Sequence, residues 1–228
     1  MSRAKFQLGL GSQTPGDPPV VAFDFDGTLT YCDSLLPFLR FVRGRRHFWR
    51  EMLRLSPTFA AHRLGLVSRD SAKQTLLSAM LSQIKVAYLD SLASSFASDV
   101  LPSLINSRAL GRLAEHVGDG HRVFIVSASP ELYLVPWAAA HGVEAVIASR
   151  LEQAGGIYTG RLLGANCRGP EKLRRLAEHL PASGAQPVYA YGDSDGDREL
   201  LAAATYAVYR GFGGVGARKV THLARAIA

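Results

Sequence analysis

The segment Val20-Val21-Ala22-Phe23-Asp24-Phe25 constrains the fold of this chain more than any other stretch. It is a nearly continuous apolar run, bounded by Pro18-Pro19 on one side and Gly27 on the other. A strand with one wet face alternates apolar and polar residues. An uninterrupted run of this length instead suits a strand covered on both faces, as in a parallel sheet. Residues 121–127, 144–147 and 187–191 read the same way, and 206–209 gives a weaker fifth run. Helical patterns lie between them. One, over residues 131–140, follows Pro130, and another, over 171–180, follows Gly169-Pro170; both are start signals. A short third covers 197–204. Strands alternating with helices predict an α/β protein with a doubly wound parallel sheet and right-handed crossovers. Residues 155–162, beginning Gly155-Gly156, read as a small β-hairpin on the edge of that sheet.

The stretch 34–105 departs from this alternation. Leu35, Phe38, Leu39 and Val42 fall on one helical stripe, while Pro57, Gly65 and Pro102 punctuate successive helices. It reads as an all-helical cap inserted between the first strand and the rest of a core formed by 19–33 and 106–228. Residues 1–18, polar and rich in Gly, Pro and Ser, read as a loose leader without the apolar stretch of a signal peptide. A chain of 228 residues with 47% hydrophobic and 20% charged residues has the means to build such a core unaided. The two cysteines, Cys32 and Cys167, form no ligand-like cluster and suit a reducing compartment. With no apolar run of membrane-spanning length, the expected location is the cytoplasm. The net charge of +7 admits nucleic acid, an anionic membrane surface or an anionic substrate. No helix-turn-helix, zinc-finger or RNA-binding signature accompanies it, so nucleic acid is not an expected partner.

Four motifs carry chemistry, each at the end of an apolar run or just after one. Asp24-Phe25-Asp26-Gly27-Thr28 begins at the carboxyl end of the first strand, where open α/β sheets place ligands. Two carboxylates one residue apart there can divide the roles of nucleophile and proton carrier, although Asp and Gly also favour plain turns. Ser127 ends the second run, where a hydroxyl and nearby backbone N–H groups suit a phosphoryl oxygen. It also has the composition of a helix cap, with Ser129 as the alternative cap and Ser127 then the ligand. Lys172, early in a helix, can offset charge beside an aspartate or simply lie exposed. Gly192-Asp193-Ser194-Asp195-Gly196-Asp197 packs three acids into five residues, a pattern that suits Mg²⁺ held by a few carboxylates and not a full protein cage. The same acids also suit a helix-capping turn.

In this order and context, Asp24-x-Asp26-x-Thr28, Ser127, Lys172 and Gly192-Asp193-x-x-x-Asp197 resemble the haloacid dehalogenase superfamily of phosphohydrolases. The insertion after the first motif resembles the small helical cap of its phosphoserine phosphatase-like members. The resemblance implies a phosphatase with Asp24 as nucleophile and Asp26 as acid and base. It implies Mg²⁺ held by Asp24, the Asp26 backbone carbonyl and Asp193. Thr28, Ser127 and Lys172 would bind the phosphoryl group, and Asp197 would orient Lys172 or metal-bound water. A phosphomutase would keep the same core.

The substrate expected is a phosphorylated small molecule or lipid. Asp33 stands nine residues after Asp24, where phosphoserine phosphatases carry an acid for the amino group, and it equally suits capping of the next helix. Ala128-Ser129-Pro130-Glu131 and Gly196 depart from that pattern. Asn166-Cys167-Arg168-Gly169-Pro170-Glu171-Lys172 and Ser127-Ala128-Ser129-Pro130 look closer to phosphatidylglycerophosphatase C-like enzymes. Arg40, Arg43, Arg45, Arg46, Arg50 and Arg54 cluster with Phe41, Phe48, Trp49, Met52 and Leu53. Such a helix suits peripheral contact with an anionic bilayer, or merely a solvated basic face over an apolar one.

Overall fold

The computed structural model describes residues 17–180 and 186–212, and the backbone of 218–220. The sequence-predicted leader therefore lies almost wholly outside the described residues. The elements are β1 (Val20–Phe23), α1 (Leu35–Arg43), α2 (Arg45–Arg54), α3 (Ser56–Arg63), α4 (Arg69–Leu81), β2 (Ile84–Lys85), α5 (Val86–Asp99), α6 (Ser107–Gly118), β3 (Arg122–Pro130), α7 (Glu131–Ala139), β4 (Ala145–Ser149), β5 (Leu151–Ala154), β6 (Ile157–Leu162), α8 (Pro170–Ala177), β7 (Tyr189–Gly192), α9 (Arg198–Ala203), β8 (Tyr206–Tyr209) and β9 (Arg218–Val220).

Six strands form the main sheet in the order β4-β3-β1-β7-β8-β9. All neighbours pair in parallel except β9, which runs antiparallel to β8. The apolar run of β1 is explained by its two faces. Val20 and Ala22 join Phe124, Val126, Leu176 and Leu200 on the side of α8 and α9. Val21 and Phe23 join Val123, Ile125, Leu113 and Trp137 on the side of α6 and α7. Alternate residues thus face opposite layers, and both layers are apolar. The stack of Phe23 on Tyr191, with ring centroids 4.3 Å apart, fixes β1 against β7 on the second face.

Five helices, α1 to α5, come from the insertion and share the larger core: Phe38, Leu77, Met80, Leu89 and Phe96 are fully buried in it. Asn106 returns the chain to the sheet, its side chain accepting from the Arg108 N–H at 3.1 Å to cap α6. The insertion is helical but for β2, two residues too few to leave a sequence signal. This strand alters the placement expected for the 155–162 hairpin. A hairpin is present, but it begins upstream of the expected bounds, with β5 as its first strand and 155–162 supplying only the turn and β6, and it does not extend the main sheet. It pairs through β6 with β2 in a separate three-stranded antiparallel sheet. Tyr158 is buried among the insertion's residues, and its hydroxyl donates to Asp90 at 2.6 Å. Burial of that ring against α5 and α4 outweighs one more ladder on the β4 edge.

The basic cluster also divides. Gly44, with φ of 73°, breaks the segment into α1 and α2. Arg43 turns inward, its Nε donating to Met80 O and its Nη2 to Ser82 O, whereas Arg46, Trp49, Arg50 and Leu53 face outward. Among the described residues no helix is long and apolar enough to cross a membrane.

The hairpin is seated on α4 by one glycine. Gly160 has φ of 77°, and a Cβ there would lie 2.6 Å from Ser78 Cα and 3.0 Å from Leu77 O. Backbone, not a movable side chain, fills that space. Gly160→Ala should therefore lower stability by about 1–3 kcal/mol, read as a fall in the urea midpoint with unchanged m-value. A substitution that leaves the midpoint in place would show that the hairpin does not bear on α4.

Candidate active site

The carboxyl ends of β1, β3 and β7, adjacent in the sheet, bring the sequence motifs to one place. Asp24 takes the last ladder position, its N–H donating to Tyr191 O at 2.9 Å. The chain then folds into a tight turn, closed by the Thr30 N–H on Phe25 O at 3.0 Å and by Gly27 N–H on Thr30 Oγ1 at 3.2 Å. Gly27 adopts φ of 77°, and the Asp193 carboxylate occupies the space a Cβ would need. Glycine is required here for the backbone and for the close approach of an acid.

Lys172 occupies the centre. Its Nζ donates to Asp24 Oδ1 and to Asp197 Oδ1, each at 2.5 Å. Lys172 is 2% exposed, Asp24 5% and Asp197 0%. Burial by itself would lower the ammonium's affinity for its proton, but Asp24 and Asp197 outweigh this and raise it. Burial pushes the Asp24 carboxyl up to about 8, against the pull of Lys172 and with the help of Asp197 and Asp26. Asp193 is raised as well, by burial first and Asp197 second. The second oxygen of Asp197 accepts from Ser194 N–H at 3.0 Å and from the Ser194 hydroxyl at 2.9 Å. With both oxygens engaged, Asp197 holds Lys172 and the β7 turn together.

Carboxylate oxygens of Asp24, Asp193 and Asp197 lie within 4.8 Å of one another. Lys172 is the one ammonium in contact with this group among the described residues. Two buried acids and the half-buried Asp193, against one ammonium and the Arg210 guanidinium at the edge, leave an excess of negative charge that a divalent ion with hard oxygen ligands would neutralise. The donor set fits Mg²⁺, with Asp24 and Asp193 as the carboxylates that Asp197's own commitments leave to hold it.

Asp26 lies in the same pocket as an acid of different character. Its Oδ1 accepts from Ser34 N–H at 2.8 Å and its Oδ2 from the Ser129 hydroxyl. Burial and the neighbouring Asp33 lift it to about 6, against those hydrogen bonds. A carboxyl that titrates near neutrality suits proton transfer in both directions.

A cavity of about 640 Å³ opens over these groups. Asp24, Asp26, Ser127, Lys172 and Asp193 all line it, as does Asp33. Asp33 also accepts from Leu35 N–H at 2.8 Å, so its pocket and capping readings coexist. Thr28 does not line the cavity. It is 3% exposed and its hydroxyl has no partner among the described residues. Ser129 is not a helix cap: the residue preceding α7 is Pro130, and the Ser129 hydroxyl serves Asp26 instead. Ser127 Oγ accepts from Ser129 N–H at 3.0 Å, which holds it in the strand-end loop. Lys73 of α4 and Asn166 also line the cavity. Lys73 did not stand out in the sequence, because a helical lysine carries no signal of the surface it meets; Asn166 stood there only as the first residue of the 166–172 segment, with no role assigned.

Comparison with known proteins agrees with this geometry. A family model for haloacid dehalogenase-like hydrolases matches residues 21–202. The protein CicA of Caulobacter vibrioides is 37% identical over 199 residues, covering 87% of this chain and 88% of its own. A probable phosphatase of Mycobacterium tuberculosis is 31% identical over 207 residues, covering 86% and 71% respectively. Among solved structures, a Bordetella pertussis protein of unknown function superposes with a TM-score of 0.71 at 25% identity, over 85% of this chain and 90% of that one. A substrate-bound phosphoserine phosphatase shares the fold with a TM-score of 0.59 at 16% identity, over 85% and 86%. The model match spans most of the chain and includes the strand ends at Asp24, Ser127 and Asp193 and the helix that carries Lys172, and the chain belongs to the haloacid dehalogenase-like hydrolases.

Proposed function

We propose that this hydrolase cleaves phosphate monoesters through a phospho-aspartate formed on Asp24. The observation that carries the reading is the Lys172 ammonium bonded to Asp24 inside a group of three acids, with a separately tuned Asp26 in the same cavity. Asp24 attacks phosphorus, and the ester P–O bond breaks. Asp26 gives its proton to the leaving oxygen. It then takes a proton from water, whose oxygen attacks phosphorus and releases inorganic phosphate, freeing Asp24. Ser127 and Lys172 hold the phosphoryl oxygens against a pocket wall rich in negative charge. Bound at Asp24, Asp193 and the Asp26 carbonyl, Mg²⁺ supplies the positive charge that favours an ionised Asp24 and offsets charge on the phosphoryl group. Thr28, buried with a partnerless hydroxyl, contributes beneath the turn and not through the cavity.

The domain organisation consistent with this chemistry is a catalytic core of 19–33 and 106–228 with the helical insertion 34–105 over its strand ends. The insertion supplies cavity-lining residues such as Phe59, His62 and Arg69, which would select the alcohol portion of the ester. A phosphorylated small molecule is the first reading. A lipid phosphate is a second, favoured by the outward face of α2, where Trp49 is 56% and Leu53 76% exposed beside Arg46 and Arg50. Flotation with anionic vesicles at low salt, with Trp49→Ala and Leu53→Ala for comparison, separates the two.

Asp24→Asn should lower phosphate release from p-nitrophenyl phosphate by at least roughly 10⁴-fold, with the fold intact by circular dichroism. Asp26→Asn should cost roughly 10²–10⁴-fold on an alkyl phosphate, whose leaving oxygen needs a proton. It should cost less on p-nitrophenyl phosphate, whose leaving group departs as an anion. Equal losses on both esters would remove Asp26 from the role of acid. The metal assignment makes a separate prediction. Mg²⁺ at 100 times its Kd should stabilise the protein by about 2.7 kcal/mol, seen as a higher Tm that EDTA reverses. Asp193→Asn should abolish most of that shift, and a full shift in the variant would refute Asp193 as ligand.

A further inference from the structure

The most unusual charge outside the catalytic group is Lys73 on α4 of the insertion. Its Nζ donates to the backbone oxygen of Ala128 at 2.5 Å and to Asn166 Oδ1 at 2.6 Å. Both acceptors are neutral, and among the described residues no carboxylate is in ion-pair contact with it. Desolvation lowers its proton affinity to about 8, in spite of Asp70, Asp26 and Asp33 nearby. A partly buried cation without a paired acid is a costly feature for a surface helix, and a solvated helical lysine would avoid the cost at no loss of packing.

The acceptors show what the lysine gains. The carbonyl of Ala128 and the N–H of Ser129 belong to one peptide group. That N–H donates to Ser127 Oγ, the phosphoryl-side hydroxyl. The Ser129 side chain, on the next bond, donates to Asp26. A single peptide plane is thus held on one side by Lys73 and serves both Ser127 and Asp26 on the other. The second acceptor repeats the pattern. Asn166 is gripped by α4 at two points: it accepts from Lys73 and donates through Nδ2 to Asp70 Oδ1 at 2.7 Å, three residues earlier on the same helix. Asn166 lies in the loop that precedes α8 and Lys172, and Ser149 at the end of β4 binds its Oδ1 at 2.9 Å. One face of α4 therefore holds both the end of β3 beside Ser127 and the loop that leads into α8 and Lys172.

We propose that Lys73 is a positioning residue, acting from the insertion to fix the Ala128–Ser129 peptide and through it the alignment of Ser127 and Asp26. The proposal rests on the reading of Asp26 and Ser127 given above, and it assigns to the insertion a part in assembling the site in addition to covering it. The effect is one of geometry: a peptide left to turn would carry the Ser127 hydroxyl and the Ser129 bond to Asp26 away together, and displacements of this kind are expensive in rate.

Two measurements test it, with Lys73→Met and, should that variant fold poorly, Lys73→Gln. Amide exchange followed by mass spectrometry should speed up at least tenfold over 127–129 in the free protein, with no comparable change in α8 or β7. This measurement needs no turnover. With p-nitrophenyl phosphate and Mg²⁺, kcat should fall about 30-fold with KM nearly unchanged, and Lys73→Arg should recover part of the loss. The decisive comparison is with Ser129→Ala. If Lys73 acts through this peptide, the double variant should be little worse than the poorer single one, whereas independent losses of about 30-fold would multiply towards about 10³. Unchanged exchange over 127–129, or losses that multiply, would overturn the proposal. A wild-type protein without phosphatase activity would defeat the catalytic reading instead, and the exchange result would then decide the positioning of the peptide alone.

Discussion

The buried ammonium of Lys172 between Asp24 and Asp197 is the constraint on which the remaining site depends. Asp24 stands on β1, Asp197 after β7 and Lys172 on α8, so this one group ties three elements of the core at their catalytic ends. Removing it would leave two carboxylates desolvated and adjacent, a cost of about 3–5 kcal/mol in comparable sites. Yet the lysine does not neutralise its surroundings. The acids outnumber it, and the Asp24 carboxyl remains raised to about 8. The acids therefore leave an excess of negative charge of the kind a divalent cation with hard oxygen ligands would offset, as the proposed chemistry requires.

Small residues let these charges approach one another. Asp193 fits beside Gly27, and a Cβ on Gly192 would lie 2.6 Å from that of Asp197. Gly27 sits where the turn after β1 passes close to a carboxylate from the turn after β7, and Gly192 where the chain after β7 folds back on its own strand end. The hydrogen bonds of Ser194 to Asp197 then turn the acid so that one oxygen faces Lys172 and the other its own loop. The geometry of the acids is therefore fixed by backbone approach before any ligand arrives, which is the condition for electrostatic stabilisation without reorganisation.

Most of the core was legible in the sequence because its signals are local. Continuous apolar runs marked β1, β3, β4 and β7, and the motifs at Asp24, Ser127 and Asp193 stood at the end of one or shortly after it, while Lys172 was marked by the helix start at Gly169-Pro170. The family pattern then brought Asp24, Asp26, Ser127, Lys172 and Asp193 to one cavity, as the structure does. The misplaced parts depend on contacts distant in sequence. Residues 155–162 were readable as part of a hairpin, but its first strand is Leu151–Ala154 and its partner is the two-residue strand Ile84–Lys85, which no periodicity reveals. Ser129 had the composition of a cap and became a ligand of Asp26, 103 residues away. Arg43 belonged to a basic cluster by composition but spends its guanidinium on the carbonyls of Met80 and Ser82.

The insertion shows the same limit from the functional side. Its sequence reads as helices with an apolar stripe, which accounts for Phe38, Leu77 and Phe96 in the shared core. What it does to the site follows from its polar exceptions. Ser34 N–H binds Asp26 while the Ser34 hydroxyl meets Tyr133 at 3.0 Å, and Lys73 and Asp70 reach Ala128 and Asn166. These contacts cross between insertion and core at the very segments that hold Asp26 and Ser127. An insertion joined to the core only by apolar packing could slide without disturbing catalysis. One joined through charged hydrogen bonds to those segments cannot, since directional bonds have few alternative arrangements. On the proposed chemistry, substrate held under the insertion and the alignment of Asp26 with Ser127 would be coupled by the same few bonds.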